Sequence, residues 1–146
     1  MGTVIGIAQR ESKRAVMKTL ESAIISDETG VADDFRGSSN LRQVTLLSAM
    51  VWNKVCQELN RDLPWTTRRA NLLIDGLELP QQKGGLLKIG EVLLQITMEM
   101  KPCYRMDEQF TGLKEALKPE WRGGICCKVL HGGSVTIGDQ IYITSK

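Results

Sequence analysis

Short runs of β-branched and aliphatic residues, separated by glycine turns, fill the second half of the sequence and constrain its fold more than any other feature. The runs lie at 86–89, 92–97, 126–130, 134–137 and 140–143. The first two flank Gly90-Glu91 and predict a β-hairpin. Gly132-Gly133 and Gly138-Asp139 separate the last three. Because short strands bury their apolar faces most readily against one another, this pattern favours a barrel or a sandwich.

The first half adds further strands and the clearest helix. Strands are predicted at 4–7, 42–47 and 71–75. Ser48 is a favourable N-cap for a helix that ends before Pro64, whose ring resists helix continuation. Residues 12–26 allow either a helix or a second strand, 33–40 are typical of a polar loop, and 112–117 form a short helix. We therefore expect a β-rich α+β fold with one medium helix and one or two short ones.

Length and charge limit the class of protein. The 146 residues fit one domain, residues 1–146, with its own hydrophobic core. A formal net charge of +2 does not favour duplex nucleic acid as a partner. The sequence contains neither an apolar run of roughly 18 residues nor a secretory signal. We expect a cytoplasmic protein without a nucleic-acid or membrane partner.

Three of the four cysteines have the pattern of core residues. Without an export signal the thiols are expected to be reduced, and Cys56, Cys126 and Cys127 are predicted to be buried. The single histidine, His131, lies beside a glycine turn, which favours neither a zinc site nor a catalytic triad.

Cys103 differs from the other cysteines in its surroundings. Pro102 fixes the backbone before it, and Lys101 and Arg105 place positive charge near the sulfur. Nearby cations favour the thiolate, which can bind a soft metal, attack an electrophile or carry sulfur. The alternative is a buried, inert thiol.

A second cluster of polar residues precedes the predicted strand at 71–75. Arg68 and Arg69 offer guanidinium groups that match phosphate or carboxylate, and Asn71 is predicted to lie on the same side as Arg69. Such a set could hold a phosphorylated ligand. The alternative is a solvated loop with ordinary surface arginines.

These blocks belong to a longer series of motifs whose order is more specific than any one of them. The series comprises Gly30-Val31, the segment 42–47, Trp65, the segment 68–74, Ile89-Gly90, the segment 102–106, the segment 121–124, Gly132-Gly133, Val135, Gly138 and Asp139. It resembles the MOSC domain, the C-terminal domain type of molybdenum cofactor sulfurases, over about residues 4–142. The resemblance implies a mixed or antiparallel β-barrel.

The resemblance also implies a role for Cys103. In relatives that reduce N-hydroxylated compounds, the matching cysteine ligates the molybdenum of a pterin cofactor. Arg69 and Asn71 match an Arg-x-Asn pair that helps to hold that cofactor, and Arg68 and Arg105 complete the predicted cofactor-binding set. Because the sequence has no flavin or iron–sulfur motif, electrons would come from an external reductase.

Two departures from the family keep other functions open. Ala32-Asp33-Asp34 stands where the family commonly has Gly-Asp, and the sequence has no counterpart of the N-terminal barrel of the amidoxime-reducing relatives. The first alternative is a sulfur carrier with a persulfide on Cys103, supplied by a pyridoxal-phosphate-dependent cysteine desulfurase. The second is a module that binds an anionic ligand or a protein without catalysis.

Overall fold

The computed structural model describes residues 1–12, 15–32, 34 and 41–145. Its strands are β1 (Gly2–Gln9), β2 (Lys18–Thr19), β3 (Ser22–Ser26), β4 (Gly30–Val31), β5 (Val44–Ser48), β6 (Leu72–Asp75), β7 (Leu86–Ile89), β8 (Val92–Glu99), β9 (Ile125–His131), β10 (Gly133–Thr136) and β11 (Gln140–Thr144). Its helices are α1 (Ala49–Glu58), α2 (Tyr104–Gln109) and α3 (Leu113–Leu117), with 3-10 helices at Trp65–Arg68 and Pro119–Trp121. Within the described residues, every helix is too short or too polar to cross a lipid bilayer.

In the described part of the chain, seven strands close into a barrel in the order β11, β7, β8, β9, β5, β6 and β1. Gly2 opposite Ile141 and Thr3 opposite Gln140 join β1 to β11 and complete the closure. Strands β5 and β6 run parallel, as a crossover through α1 allows. The β-rich barrel with a medium helix and short helices that the sequence predicted is confirmed.

The predicted start of α1 is also confirmed. Ser48 has extended backbone angles, and its Oγ accepts a hydrogen bond from the Val51 N–H at 3.3 Å. That bond satisfies one of the N–H groups that a helix start leaves without a partner. The helix buries Trp52 and Val55, and the Trp52 Nε1–H donates to the Leu63 carbonyl at 2.9 Å.

The ambiguous region 12–26 contains strands where the structure describes it. β2 pairs with the end of β1, and β3 lies between β10 and β4 in a small second sheet. Ile25 of β3 is fully buried in the barrel core cluster. In the pairing of β3 with β10, Ile24 lies opposite Ser134, about 110 residues later in the chain. Local periodicity reveals neither this pairing nor the burial of Ile25, because both are tertiary effects.

Two hydrophobic clusters share β5. Leu46 belongs to the cluster inside the barrel, whereas Leu47 belongs to the cluster beneath the helices. Because both faces of the strand are covered, all of β5 is buried. The helix cluster also contains Met106 of α2 and Leu113 of α3, which places α2 against the barrel.

Two details differ from the sequence predictions. Helix α2 was not predicted at all. Gly138-Asp139 was predicted as a plain hairpin turn and does form a turn, in which the Asp139 N–H donates to the Thr136 carbonyl at 3.0 Å. The prediction that this turn joins a hairpin of β10 and β11 is wrong, however. β10 pairs with β3, and β11 pairs with β7 and β1. Apart from Asp34, the predicted polar loop 33–40 lies outside the described residues.

Candidate functional site

A cavity of about 350 Å³ lies where several elements begin or end. Arg10 follows β1, Arg42 precedes β5, and Met100 follows β8. Arg69 follows the first 3-10 helix, and Cys103 precedes α2. Residues that are far apart in sequence therefore meet at one place.

Cys103 is exposed, whereas Cys126 and Cys127 are buried and Cys56 is half-buried. It occupies the N-cap position of α2, where its carbonyl accepts a hydrogen bond from the Met106 N–H at 2.9 Å. Cys103 also lines the cavity, so an exposed cysteine lies at this site. The buried, inert thiol that the sequence left as an alternative is not what the structure shows.

Arg68, which lines the cavity, binds the backbone of two separate segments. Its Nε donates to the Gly123 carbonyl at 2.9 Å and its Nη2 to the Met100 carbonyl at 2.5 Å. Its Nη1 contacts the Met106 sulfur at 3.7 Å. Burial lowers the pKa of Arg68 to about 10. These contacts fix Met100, which follows β8 and lies three residues before Cys103, against the segment 121–124.

Asn71 is a buried residue in the lining of the cavity. Its Oδ1 accepts hydrogen bonds from the backbone N–H and the hydroxyl of Thr45, at 3.0 and 3.1 Å. Its Nδ2 donates to the Ala8 carbonyl at 3.1 Å, and its own N–H donates to Thr45 Oγ1 at 3.0 Å. Asn71 therefore ties the ends of β1, β5 and β6 together, and most of its hydrogen-bonding capacity is already used.

Arg69 differs from its neighbour Arg68 in backbone geometry and in hydrogen bonding. It has a left-handed backbone with φ of 66° at the end of the 3-10 helix, so the alternation expected of a strand does not apply to it. The predicted placement of Arg69 and Asn71 on one side of a strand is therefore wrong, since the strand begins only at Leu72. Arg69 Nη2 donates to the Ala15 carbonyl. Burial, and then the nearby charge of Arg105, lower the pKa of Arg69.

The cavity is strongly cationic. Among the described residues that line it, six carry a positive charge and one a negative charge. The cations are Arg10, Arg42, Arg68, Arg69, Lys101 and Arg105, and the anion is Asp34. Cations that line a concave, partly desolvated site attract anions more strongly than cations on an open surface do.

The structure brings all the residues of the predicted site to this one cavity: Cys103, Arg68, Arg69, Asn71 and Arg105. Their roles toward a ligand remain predictions. Sequence reasoning missed Arg10 and Arg42, and it used Lys101 only as a neighbour of Cys103. The available signal for Arg42 was its position at the start of a strand, which carries no functional information by itself.

The other cysteines and the histidine that the sequence analysis considered do not line this cavity. Cys126 and Cys127 are buried as predicted, and burial raises the pKa of the Cys127 thiol. His131 lies near the end of β9, where its Nδ1 is 2.9 Å from the Glu91 carbonyl oxygen. Among the described residues, no group of three or more His, Cys, Asp or Glu side chains is placed to hold a metal ion.

This barrel and its motifs define the chain as a MOSC domain protein. The family model of the MOSC domain matches residues 33–142, well over half of the 146 residues. The chain belongs to that family, which confirms the resemblance drawn from the sequence.

Solved structures share the fold. YuaD protein from Bacillus subtilis superposes with a TM-score of 0.80 at 18% identity, over 97% of this chain and 94% of that one. YiiM from Escherichia coli gives 0.76 at 16% identity, over 99% and 70% of the two chains. YiiM from Geobacillus stearothermophilus gives 0.80 at 13% identity, over 99% and 76%. No curated protein sequence matches the chain.

Proposed function

We propose that the cationic cavity binds a molybdenum–pterin cofactor and that Cys103 supplies a thiolate ligand to its metal. The observation that carries the proposal is the opening of an exposed cysteine into a cavity lined by arginines. A soft thiolate suits molybdenum, and guanidinium groups suit the phosphate of the pterin. The residues present fit the group in one further respect, because the buried Arg42 Nε has no hydrogen-bond partner among the residues that the structure describes.

The residues of the cavity would divide the work of binding. Arg69 and Arg105 would supply hydrogen bonds and charge to anionic groups, whereas Arg68 and Asn71 would hold the walls in place. When bound, the cofactor would supply two-electron redox chemistry at its metal. The proposed substrates are N-hydroxylated compounds, with electrons from an external reductase.

The test is the molybdenum and pterin content of protein made in a host that synthesises the cofactor. We expect wild type to hold molybdenum, Cys103→Ser to lose it, and Cys56→Ser to keep it. Cys56 is the matched control, since its half-buried thiol lies outside the residues that line the cavity. Equal molybdenum in wild type and Cys103→Ser, or none in either, would contradict the proposal.

A second candidate is sulfur carriage, which the exposure of Cys103 favours because a partner enzyme could reach the thiol. The Cys103 thiolate would attack the outer sulfur of a persulfide on a cysteine desulfurase. The new bond forms as the donor S–S bond breaks, and the donor cysteine leaves as a thiolate. Incubation with a desulfurase and cysteine should add one sulfur, about 32 Da, to wild type and not to Cys103→Ser. An unchanged mass in wild type would exclude this function.

A further inference from the structure

Arg42 combines partial burial with an unpaired side-chain donor in the lining of the cavity. The residue lines the cavity and is half-buried, and in the described part of the chain its solvent-shielded Nε–H has no hydrogen-bond partner. A buried N–H of a charged guanidinium is normally paired, since leaving it unpaired costs free energy. Within the residues 1–12, 15–32, 34 and 41–145, this donor is therefore left for a ligand to bind.

The positive charges around Arg42 also favour a bound anion. Arg68 lies near enough for the charge of Arg42 to be one cause, after burial, of its lowered pKa. Arg68 cannot turn away, because the carbonyls of Met100 and Gly123 hold it. A second like-charged pair, Arg69 and Arg105, lines the same cavity. An anion with more than one negative charge would relieve both repulsions.

We propose that Arg42 is an anion-binding residue of this cavity and that its ligand is a tetrahedral oxyanion of the phosphate-monoester class. The Nε–H and the adjacent Nη–H of a guanidinium form a fork that matches two oxygens of such a group. A phosphate monoester carries up to two negative charges, which suits two repelling arginine pairs better than a single carboxylate does. The inference rests on the proposed function in that it names the residue that holds the phosphate end of the ligand.

The test titrates inorganic phosphate into the purified protein at constant ionic strength, with binding measured by calorimetry. Ionic strength is held constant because general screening would otherwise mimic binding. Arg42→Met removes every donor and keeps an aliphatic stem. We expect it to weaken phosphate binding by roughly tenfold or more, the usual effect of losing charge-assisted hydrogen bonds. Arg42→Lys keeps the charge without the fork, and we expect it to restore only part of the affinity.

The matched control is Arg61→Met. Arg61 is exposed, lies outside the cavity lining and places its guanidinium carbon 5.4 Å from the centre of the Phe110 ring. We expect this variant to bind phosphate like wild type. Absence of phosphate binding in wild type, or an equal loss in Arg42→Met and Arg61→Met, would overturn the inference.

A stability measurement separates a ligand-binding role from a structural one. Without phosphate, Arg42→Met should melt at the same temperature as wild type or higher, because it removes an unpaired donor and a repelling charge. A melting temperature several degrees lower would mean that Arg42 serves the fold, and would also overturn the inference.

The two proposals fail in different ways. Cys103→Ser should keep phosphate binding while losing molybdenum. Unchanged phosphate binding in Arg42→Met with loss of molybdenum in Cys103→Ser would overturn the role of Arg42 and leave the proposed function intact. Phosphate binding that depends on Arg42, in a wild type that never holds molybdenum, would support the oxyanion site and contradict the cofactor.

Discussion

At the scale of single residues, the neighbouring arginines 68 and 69 show how one motif can carry two tasks. Arg68 is buried and donates hydrogen bonds to two backbone carbonyls. Arg69 is half-buried, and its charge lies near that of Arg105. Arg68 holds the backbone beside the cavity, and Arg69 is the residue that we propose binds a ligand. Their order in the sequence does not reveal this division, because it depends on the left-handed turn at Arg69.

Arg68→Met tests the structural role. The change leaves the carbonyls of Met100 and Gly123 without a donor, at about 1–3 kcal/mol for each that stays buried and unpaired. Removal of a desolvated charge offsets part of that loss. We expect a clear decrease in the free energy of unfolding in urea and a changed rate of Cys103 alkylation. Arg69→Met is the control and should cost about 1 kcal/mol or less. Equal losses in the two variants would contradict the division of tasks.

At the scale of elements, the loop at 121–124 packs against the strands that frame the cavity. Gly124 has a φ of +105°, and a Cβ there would lie 2.2 Å from the Leu46 carbonyl oxygen of β5. Its own carbonyl accepts a hydrogen bond from the Met100 N–H at 2.9 Å. The segment therefore contacts both β5 and Met100, and its close approach to β5 is one that only glycine permits.

A pair of glycine substitutions isolates this close contact. Gly124 and Gly138 have similar positive φ values, but a Cβ at Gly138 would meet nothing within 4 Å. Both alanine variants suffer backbone strain of about 1–2 kcal/mol. Gly124→Ala should lose about 1–3 kcal/mol more than Gly138→Ala because of the overlap with β5. Thermal unfolding of the two variants measures the difference, and equal melting temperatures would contradict the role of the contact.

At the scale of the whole molecule, the barrel depends on pairing between the two ends of the described chain. β1 meets β11 through the pairs Gly2–Ile141 and Thr3–Gln140, and the Val4 N–H donates to the Asp139 carbonyl at 2.8 Å. Ile141 is fully buried, whereas Ile143, two residues later on the same strand, is 56% exposed. The side chain of Ile141 therefore packs in the barrel core at the position where β1 and β11 pair.

Substitutions on β11 test that closure. Ile141→Ala should lower the free energy of unfolding by about 2–5 kcal/mol, the usual cost of truncating a buried isoleucine. Ile143→Ala should change it by about 0.5 kcal/mol or less, as exposed positions do. Urea denaturation of both variants provides the measurement. Similar losses would mean that β11 adds its pairing as a whole rather than through a single core side chain.

The local features of the fold were predictable from the sequence. The hairpin around Gly90-Glu91, the Ser48 cap and the helix before Pro119 follow from turn chemistry, capping and proline geometry within a few residues. The strands within the region 12–26 were not predictable from the sequence, because β2 and β3 form by pairing with β1 and β10. Helix α2 was missed because it is only six residues long and packs by Met106 against a distant cluster.

The sequence by itself determined the class of fold, the family and the position of Cys103 among cations. These rest on periodicity, glycine placement and motif order, all of which are local or ordered along the chain. Only the tertiary structure decided that Arg42 meets Arg68, and that Arg69 meets Arg105, in one cavity. The physical reason is that strand pairing brings together the ends of strands distant in sequence, and the partners of a buried donor depend on that meeting rather than on its neighbours in the chain.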